Sequence, residues 1–211
     1  MKQTLPFNEH VAEYEEWFHE HPYVFQSELT AIKELLPDRH RLEGLEVGTG
    51  TGRFAEALGI TEAVEPADNM RLLAIKRGIN AKDAEAEHLP YHDQSFDFVV
   101  MAFSICYFNS LRLAFKEAHR VLKQGGALVI GFLDKDSIIG RDYAARKASS
   151  LFYNEATFYA PEKVMEDLKG SDFHQFSISQ TLFGSLNDIN ELQPPKEGFG
   201  EGSFVLIKAI K

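Results

Sequence analysis

The densest chemical information in this 211-residue chain lies in LEVGTGTGRFAEALG, Leu45 to Gly59, where Glu46 precedes Gly48, Thr49, Gly50 and Gly52. Leu42, Leu45 and Val47 fit a short buried strand, the glycines supply a turn without Cβ atoms, and Phe54, Ala55, Ala57 and Leu58 open a helix capped by Gly59. Such a turn lets a ligand approach the backbone closely. Dinucleotide phosphates use Gly-x-Gly-x-x-Gly under a pyrophosphate. Here the third glycine comes one residue early, and the position the fingerprint needs holds Arg53. Glu46 adds a carboxylate that sits poorly with a phosphate anion and suits a ligand carrying positive charge.

This segment resembles motif I of the class I S-adenosylmethionine methyltransferases, acid-x-Gly-x-Gly-x-Gly, matched at Glu46, Gly48, Gly50 and Gly52. The resemblance implies S-adenosylmethionine as cofactor, with the glycine turn under its methionine part and Glu46 holding its ammonium. Later segments follow the family's order. Thr61 to Val64 reads as a second strand ending in Glu65-Pro66, an acid placed to accept both ribose hydroxyls, with Met70 beside the adenine. AEAEHLPYHDQSFDFVV resembles the family's Gly-Asp-Ala-Glu-x-Leu-Pro-Phe segment, which puts the adenine-binding acid on Glu85, with Ala86 and Glu87 in register. Ala102, Phe103 and Tyr107, after the fourth strand, complete the implied cofactor set. KEAHRVLKQGGALVIGF resembles Glu-x-x-Arg-Val-Leu-Lys-Pro-Gly-Gly-x-Leu, with Gln124 for the proline.

The elements that must position these residues read as an α/β fold: a doubly wound, seven-stranded, mostly parallel sheet with an antiparallel C-terminal hairpin. Further strands are expected at Ile79 to Asp83, Phe96 to Met101, Ala127 to Phe132, Phe173 to Leu182 and Ser203 to Ile210. A helix from Leu111 to Lys123 is expected to stop at Gly125 and Gly126. One domain is expected over 1–211: a helical lid at 1–40, the cofactor core at 41–133, a substrate-side insertion at 134–170 and C-terminal strands at 171–211. The Gly/Pro-rich stretch 184–202 reads as partly disordered or a flap.

On the acceptor side, Asn8 is expected to cap a helix carrying Tyr14, Trp17 and Phe18, and Pro22 to start a second that Pro37 stops. The first resembles the Tyr-Asp-x-Trp-Phe lid of small-molecule methyltransferases, with Glu15 for the Asp; it fits a plain amphipathic helix equally well. Ser137 to Leu168 is aromatic-rich and close to the ubiquinone and menaquinone-biosynthesis type. Tyr14, Trp17, Phe18, Tyr107, Arg141 and Tyr143 are the acceptor-pocket candidates. No catalytic group is identified, and Tyr14, His19 and His21 are the candidates. Asp134 and Asp136 lack a third ligand nearby, so no metal is expected. Cys106 reads as a packing residue. Ala102-Phe103-Ser104-Ile105 stands where enzymes methylating nucleobase or glutamine nitrogens carry Asn/Asp-Pro-Pro-Tyr/Phe.

A net charge of −10 argues against nucleic acid and anionic membranes, and 44% hydrophobic residues suffice for a sheet covered on both faces. The polar start, the lack of a long apolar run and the single cysteine point to the cytoplasm. The expected partner is a small-molecule acceptor, and the chain fits a monomer or a homodimer. Two alternatives stay open: a nicotinamide-dependent oxidoreductase on the same fold, and a non-catalytic S-adenosylmethionine-binding protein.

Overall fold

Short apolar runs alternate with amphipathic stretches, and in the computed structural model, which describes residues 4–37 and 42–211, they form alternating strands and helices. Residues 1–3 and 38–41, at the two ends of the expected lid segment, lie outside the described residues. Five strands run parallel: β1 (Gly44–Val47), β2 (Glu62–Val64), β3 (Asn80–Lys82), β4 (Phe96–Ala102) and β5 (Leu122–Leu133). Three antiparallel strands extend the sheet beyond β5: β6 (His174–Thr181), the two-residue β7 (Lys196–Glu197) and β8 (Phe204–Ile210). The order is β3-β2-β1-β4-β5-β8-β6-β7. Because the order reverses at β1, the connections after β1 and β4 diverge and open a crevice at the strand C-termini.

Both sheet faces are buried, as a parallel sheet requires. Phe98, Val100 and Ala102 of β4 face one core, and Val99 and Met101 face the other. Helices α1 (Leu5–Glu9), α2 (Val11–Glu20), α3 (Pro22–Leu35), α4 (Arg53–Leu58) and α5 (Asp68–Lys76) come before β3 in the chain. Phe18, Ile32, Phe54 and Leu58 from these helices fill the first core. Helices α6 (Leu111–Val121) and α8 (Pro161–Lys169) fill the second with Phe115, Val121, Val164 and Leu168, while α7 (Ile138–Ala145) adds Ile139 to the first. Each fully buried side chain of this size contributes roughly 1.5–3 kcal/mol.

Four expectations change. The sheet has eight strands, because Lys196–Glu197 pairs with Ser179 and Gln180 at the outer edge. Helix α6 ends two residues early, since Leu122 already pairs with Phe96 and begins β5 through a bulge. Stretch 184–202 is not disordered. Gln193 donates from its backbone to Ser27 Oγ (2.9 Å) and accepts Phe183 N–H on its side chain (2.6 Å), and Gln180 Oε1 accepts the N–H groups of Glu201 and Gly202. Asn8 does not cap α2: it lies within α1, and its Oδ1 accepts Asn69 N–H in the first turn of α5 (2.9 Å).

The centre of β5 is linked to the crevice through one contact. A Cβ on Gly131 would lie 2.4 Å from Phe204 Cζ, and that ring stacks on Phe103 at 4.6 Å. Gly131→Ala is therefore expected to destabilise the fold by about 1–3 kcal/mol through overpacking. Urea denaturation checks this, with an unchanged midpoint showing that Phe204 can yield.

Candidate cofactor and acceptor site

The turn after β1 is tied to the end of β2 by its own backbone: Gly48 and Thr49 N–H groups both donate to Val64 O (2.9 and 3.2 Å). Glu65 then joins the two turns. Its Oε2 accepts Gly50 N–H (2.8 Å) and its Oε1 accepts Ala67 N–H (2.9 Å). Gly50 sits at φ +56°, and a Cβ there would come within 3.1 Å of the Tyr14 hydroxyl, so glycine keeps the turn clear beneath Tyr14. Burial raises the Glu65 carboxyl above its ordinary value, with the two backbone N–H bonds opposing the shift.

Glu46 is 1% exposed and accepts the Thr49 hydroxyl. Burial pushes its carboxyl up to about 8, partly opposed by bonds from Thr49 and the Ala55 backbone and increased by the charge on Glu65. No cation among the described residues pairs with either acid, although Arg71 donates to the Glu65 carbonyl.

Both acids line a cavity of about 530 Å³, within the ~300–1,000 Å³ usual for ligand pockets. Pro66 and the buried Met70 border it beside Glu65, and Ala84, Glu85, Ala86 and Glu87 follow from the segment after β3. Glu87 also accepts the N–H groups of Asn109 and Ser110 (2.7 and 3.0 Å), which fixes the start of α6. Ala102, Phe103 and Tyr107 border it after β4. Phe103 holds φ +56°, an uncommon left-handed conformation for an aromatic residue, with its N–H on Gly131 O (2.8 Å). Gly52 does not line the cavity: a Cβ at its φ of +85° would meet Ala74 at 3.1 Å, so it seats α4 against α5.

Much of the cavity wall is aromatic, and Tyr14, Trp17, Phe18, Tyr107 and Tyr143 all line it. Phe7, which the sequence patterns do not single out, stacks on Phe152 (5.3 Å), and both pack against Tyr14. Buried Glu28, on α3, also lines the cavity and is absent from the sequence-based candidates. Three candidates do not reach the cavity. Arg141 is exposed and donates to the Asp136 carbonyl, while Arg146 at the next turn lines the rim. His19 lies outside beside Arg53, and His21 stacks on Trp17 (4.9 Å) with its Nδ1 on Trp17 O. Asp134 accepts Asp136 N–H, and burial pushes the Cys106 thiol up to about 12.

The buried acids leave a signature in stability. The folded Glu46 carboxyl titrates at about 8 against 4.5 unfolded, so the folded chain holds a proton that the unfolded chain releases between these values. Its contribution is complete below pH 4.5 and is lost as pH rises through about 8. The ligand-free protein is expected to weaken across that window, with Glu46→Gln flattening the slope and raised Glu65 and Glu28 leaving a remainder. Urea titrations at stepped pH measure this; equal slopes in the two proteins would refute it.

The chain is similar to known proteins, and a methyltransferase-domain family model matches residues 45–130. A solved Thermotoga maritima structure, described as an S-adenosylmethionine-dependent methyltransferase and possible histamine N-methyltransferase, is 43% identical, covers 98% of each chain and superposes with a TM-score of 0.94. An uncharacterized Methanocaldococcus jannaschii protein is 38% identical over 205 residues, 97% of this chain and 98% of its own. The demethylmenaquinone methyltransferase of Thermotoga maritima is 35% identical over 111 residues, 47% of each protein. These likenesses decide between the two cofactors that the glycine turn alone left open. The chain belongs to the class I S-adenosylmethionine-dependent methyltransferases, and S-adenosylmethionine is its cofactor.

Proposed function

We propose that this methyltransferase acts on a small-molecule acceptor held in the aromatic end of the cavity. The observation that carries the reading is the cover built from the chain's own rings: Phe7 packs on Tyr107 at 5.0 Å and on Phe152 at 5.3 Å, and Tyr14 packs on Phe18 at 5.3 Å. These rings come from α1, α2, the turn after β4 and the segment after α7, so a compact acceptor would be surrounded on several sides. The Thermotoga maritima relative described as a possible histamine N-methyltransferase and the quinone methyltransferases support an acceptor of this size.

The observed cradle fits the cofactor. Gly48 to Gly50 would lie under its methionine part, Glu46 would take its ammonium, and the lone pairs left on Glu65 would accept the ribose hydroxyls. Met70, Glu85 and Ala86 would border the adenine. When bound, S-adenosylmethionine supplies an electrophilic methyl group on a cationic sulfur.

What the chain adds is position and exclusion of water, which together can be worth several powers of ten in rate. The faces of Tyr14 and Tyr107 can each stabilise a nearby cation by roughly 0.5–2 kcal/mol. Burial, then the charges on Glu65 and Glu46, hold the Tyr14 hydroxyl well above its ordinary range, so it stays protonated and serves as wall and donor rather than base. No histidine lines the cavity among the described residues. Among those residues no helix is long and apolar enough to cross a membrane, and we place the activity in the cytoplasm.

Two measurements test this reading. Calorimetry with S-adenosylhomocysteine is expected to show that Glu65→Ala weakens binding about tenfold or more, since it removes a buried acceptor of the kind whose loss costs 1–3 kcal/mol. A methyl-label transfer screen is expected to label small molecules and leave nucleic acids and proteins unlabelled. For the small acceptor found, Trp17→Ala should lower kcat/KM by roughly tenfold while cofactor affinity holds. Label appearing only in macromolecules would overturn the proposal.

A further inference from the structure

Val24, Ser27, Glu28, Ala31 and Ile32 form the buried stripe of α3, and their spacing puts one acid in the middle of an otherwise core-facing surface. Glu28 is 2% exposed. Its Oε2 is wholly enclosed and meets no hydrogen-bond donor, and no Lys, Arg or His among the described residues pairs with it. Ser27 beside it is fully engaged: its hydroxyl donates to Tyr23 O (2.7 Å) and accepts Gln193 N–H. For stability alone an apolar side chain would serve better, because an unpaired buried carboxylate is among the costliest groups a core can hold.

Glu28 lines the acceptor end of the cavity, and its charge is felt by Tyr14, Tyr143 and Tyr153, three tyrosines that also line it. Acids outnumber bases on the cavity wall. Glu13, Glu20, Glu28, Glu46, Glu65, Glu85 and Glu87 lie on the wall, whereas the one basic side chain there among the described residues, Arg146, is largely exposed and paired with Asp142. An anionic acceptor would meet no unpaired cation there among the described residues. Aromatic faces around an unpartnered acid instead match a cation on an apolar body.

We propose that Glu28 is the acceptor-binding residue of this enzyme and that the acceptor is a compact, largely apolar amine whose cationic nitrogen pairs with the Glu28 carboxylate. This rests on the small-molecule reading above and narrows it to one charge class. Glu46, Glu65 and Glu85 are assigned to the cofactor, Glu87 holds the start of α6, and Glu13 and Glu20 are exposed, so Glu28 is the buried acid left for the acceptor.

The test uses the full chain saturated with S-adenosylhomocysteine. Calorimetry is run with matched series: straight-chain alkylamines and 2-arylethylamines, each beside its alcohol and its carboxylate. The wild type is expected to prefer amines over the matched alcohols by at least about tenfold, the low end of what one charge-assisted hydrogen bond contributes. Glu28→Gln should erase that preference and leave S-adenosylhomocysteine affinity unchanged. Glu28→Leu, which removes the buried charge, should raise the thermal midpoint and also lose the preference. With an amine that turns over, Glu28→Gln should raise KM more than it lowers kcat.

Two results would overturn the assignment: amines that bind no better than their alcohols in the wild type, or a folded Glu28→Leu variant that keeps the preference. Either would leave the methyltransferase reading standing if the cofactor product still binds and small molecules are still labelled. Failure of S-adenosylhomocysteine to bind would instead strike the underlying reading, and this proposal with it.

Discussion

One carboxylate ties the cover of this enzyme to its cofactor turn. Glu15 on α2 accepts the Thr51 hydroxyl (2.5 Å), Arg53 Nε and Nη2 (3.1 and 2.7 Å) and Arg77 Nη2 (2.6 Å). Arg77 in turn donates to Thr51 O, so three chain segments meet at one group. Burial opposes ionisation of Glu15, yet the bonds from Arg53, Thr51 and Arg77 outweigh it and hold the carboxyl below its ordinary value. Exposed ion pairs contribute about 0–1 kcal/mol and leave their partners mobile. Here the acid and both guanidiniums are four-fifths enclosed and geometrically specified. The rotation of α2 follows: Tyr14 lies over Gly50, and Phe18 lies under the Arg53 guanidinium at 4.7 Å.

A cover fixed in this way encloses groups that a stability-optimised core would exclude. Glu28, Glu46 and Glu65 are all buried and all shifted toward their neutral forms. Their desolvation is the same property that makes them receptive to cations, since a carboxylate already stripped of water need not be stripped again on binding. The charge pattern therefore divides the enzyme into two parts. Arg53 and Arg77 are bound outside the cavity in holding α2, whereas Glu28, Glu46 and Glu65 on its wall have no cationic partner among the described residues.

What could be read from the sequence was local. The glycine turn, Glu65 at the end of β2 and the alternating buried runs of the parallel strands depend on neighbours within a few residues, and the structure places them as their patterns imply. Arg53 was legible as an obstacle to a dinucleotide, but its role as the partner of Glu15 was not, because the pair is 38 residues apart. Glu28 was missed for a related reason: helical periodicity marks its face, yet a polar residue in a stripe normally lowers confidence in burial rather than signalling a site. One turn of α7 separates the exposed Arg141 from Arg146 at the rim, and composition cannot set that phase. Strand β7 is two residues long, and its pairing with β6 depends on tertiary contact.

The aromatic wall of the cavity also depends on residues of β5 and β8 that do not line it. Phe103 occupies a left-handed conformation of the kind that costs about 1–3 kcal/mol, and it persists because its surroundings over-determine it. Its N–H is held by Gly131 on β5, its ring by the parallel face of Phe204 on β8, and the other side by Phe54 at 6.1 Å. Phe204 fits only because Gly131 has no side chain. Strands β5 and β8 thus set where the Phe103 part of the cavity wall stands. Substitutions at Gly131 or Phe204 can move that wall although neither residue lines the cavity.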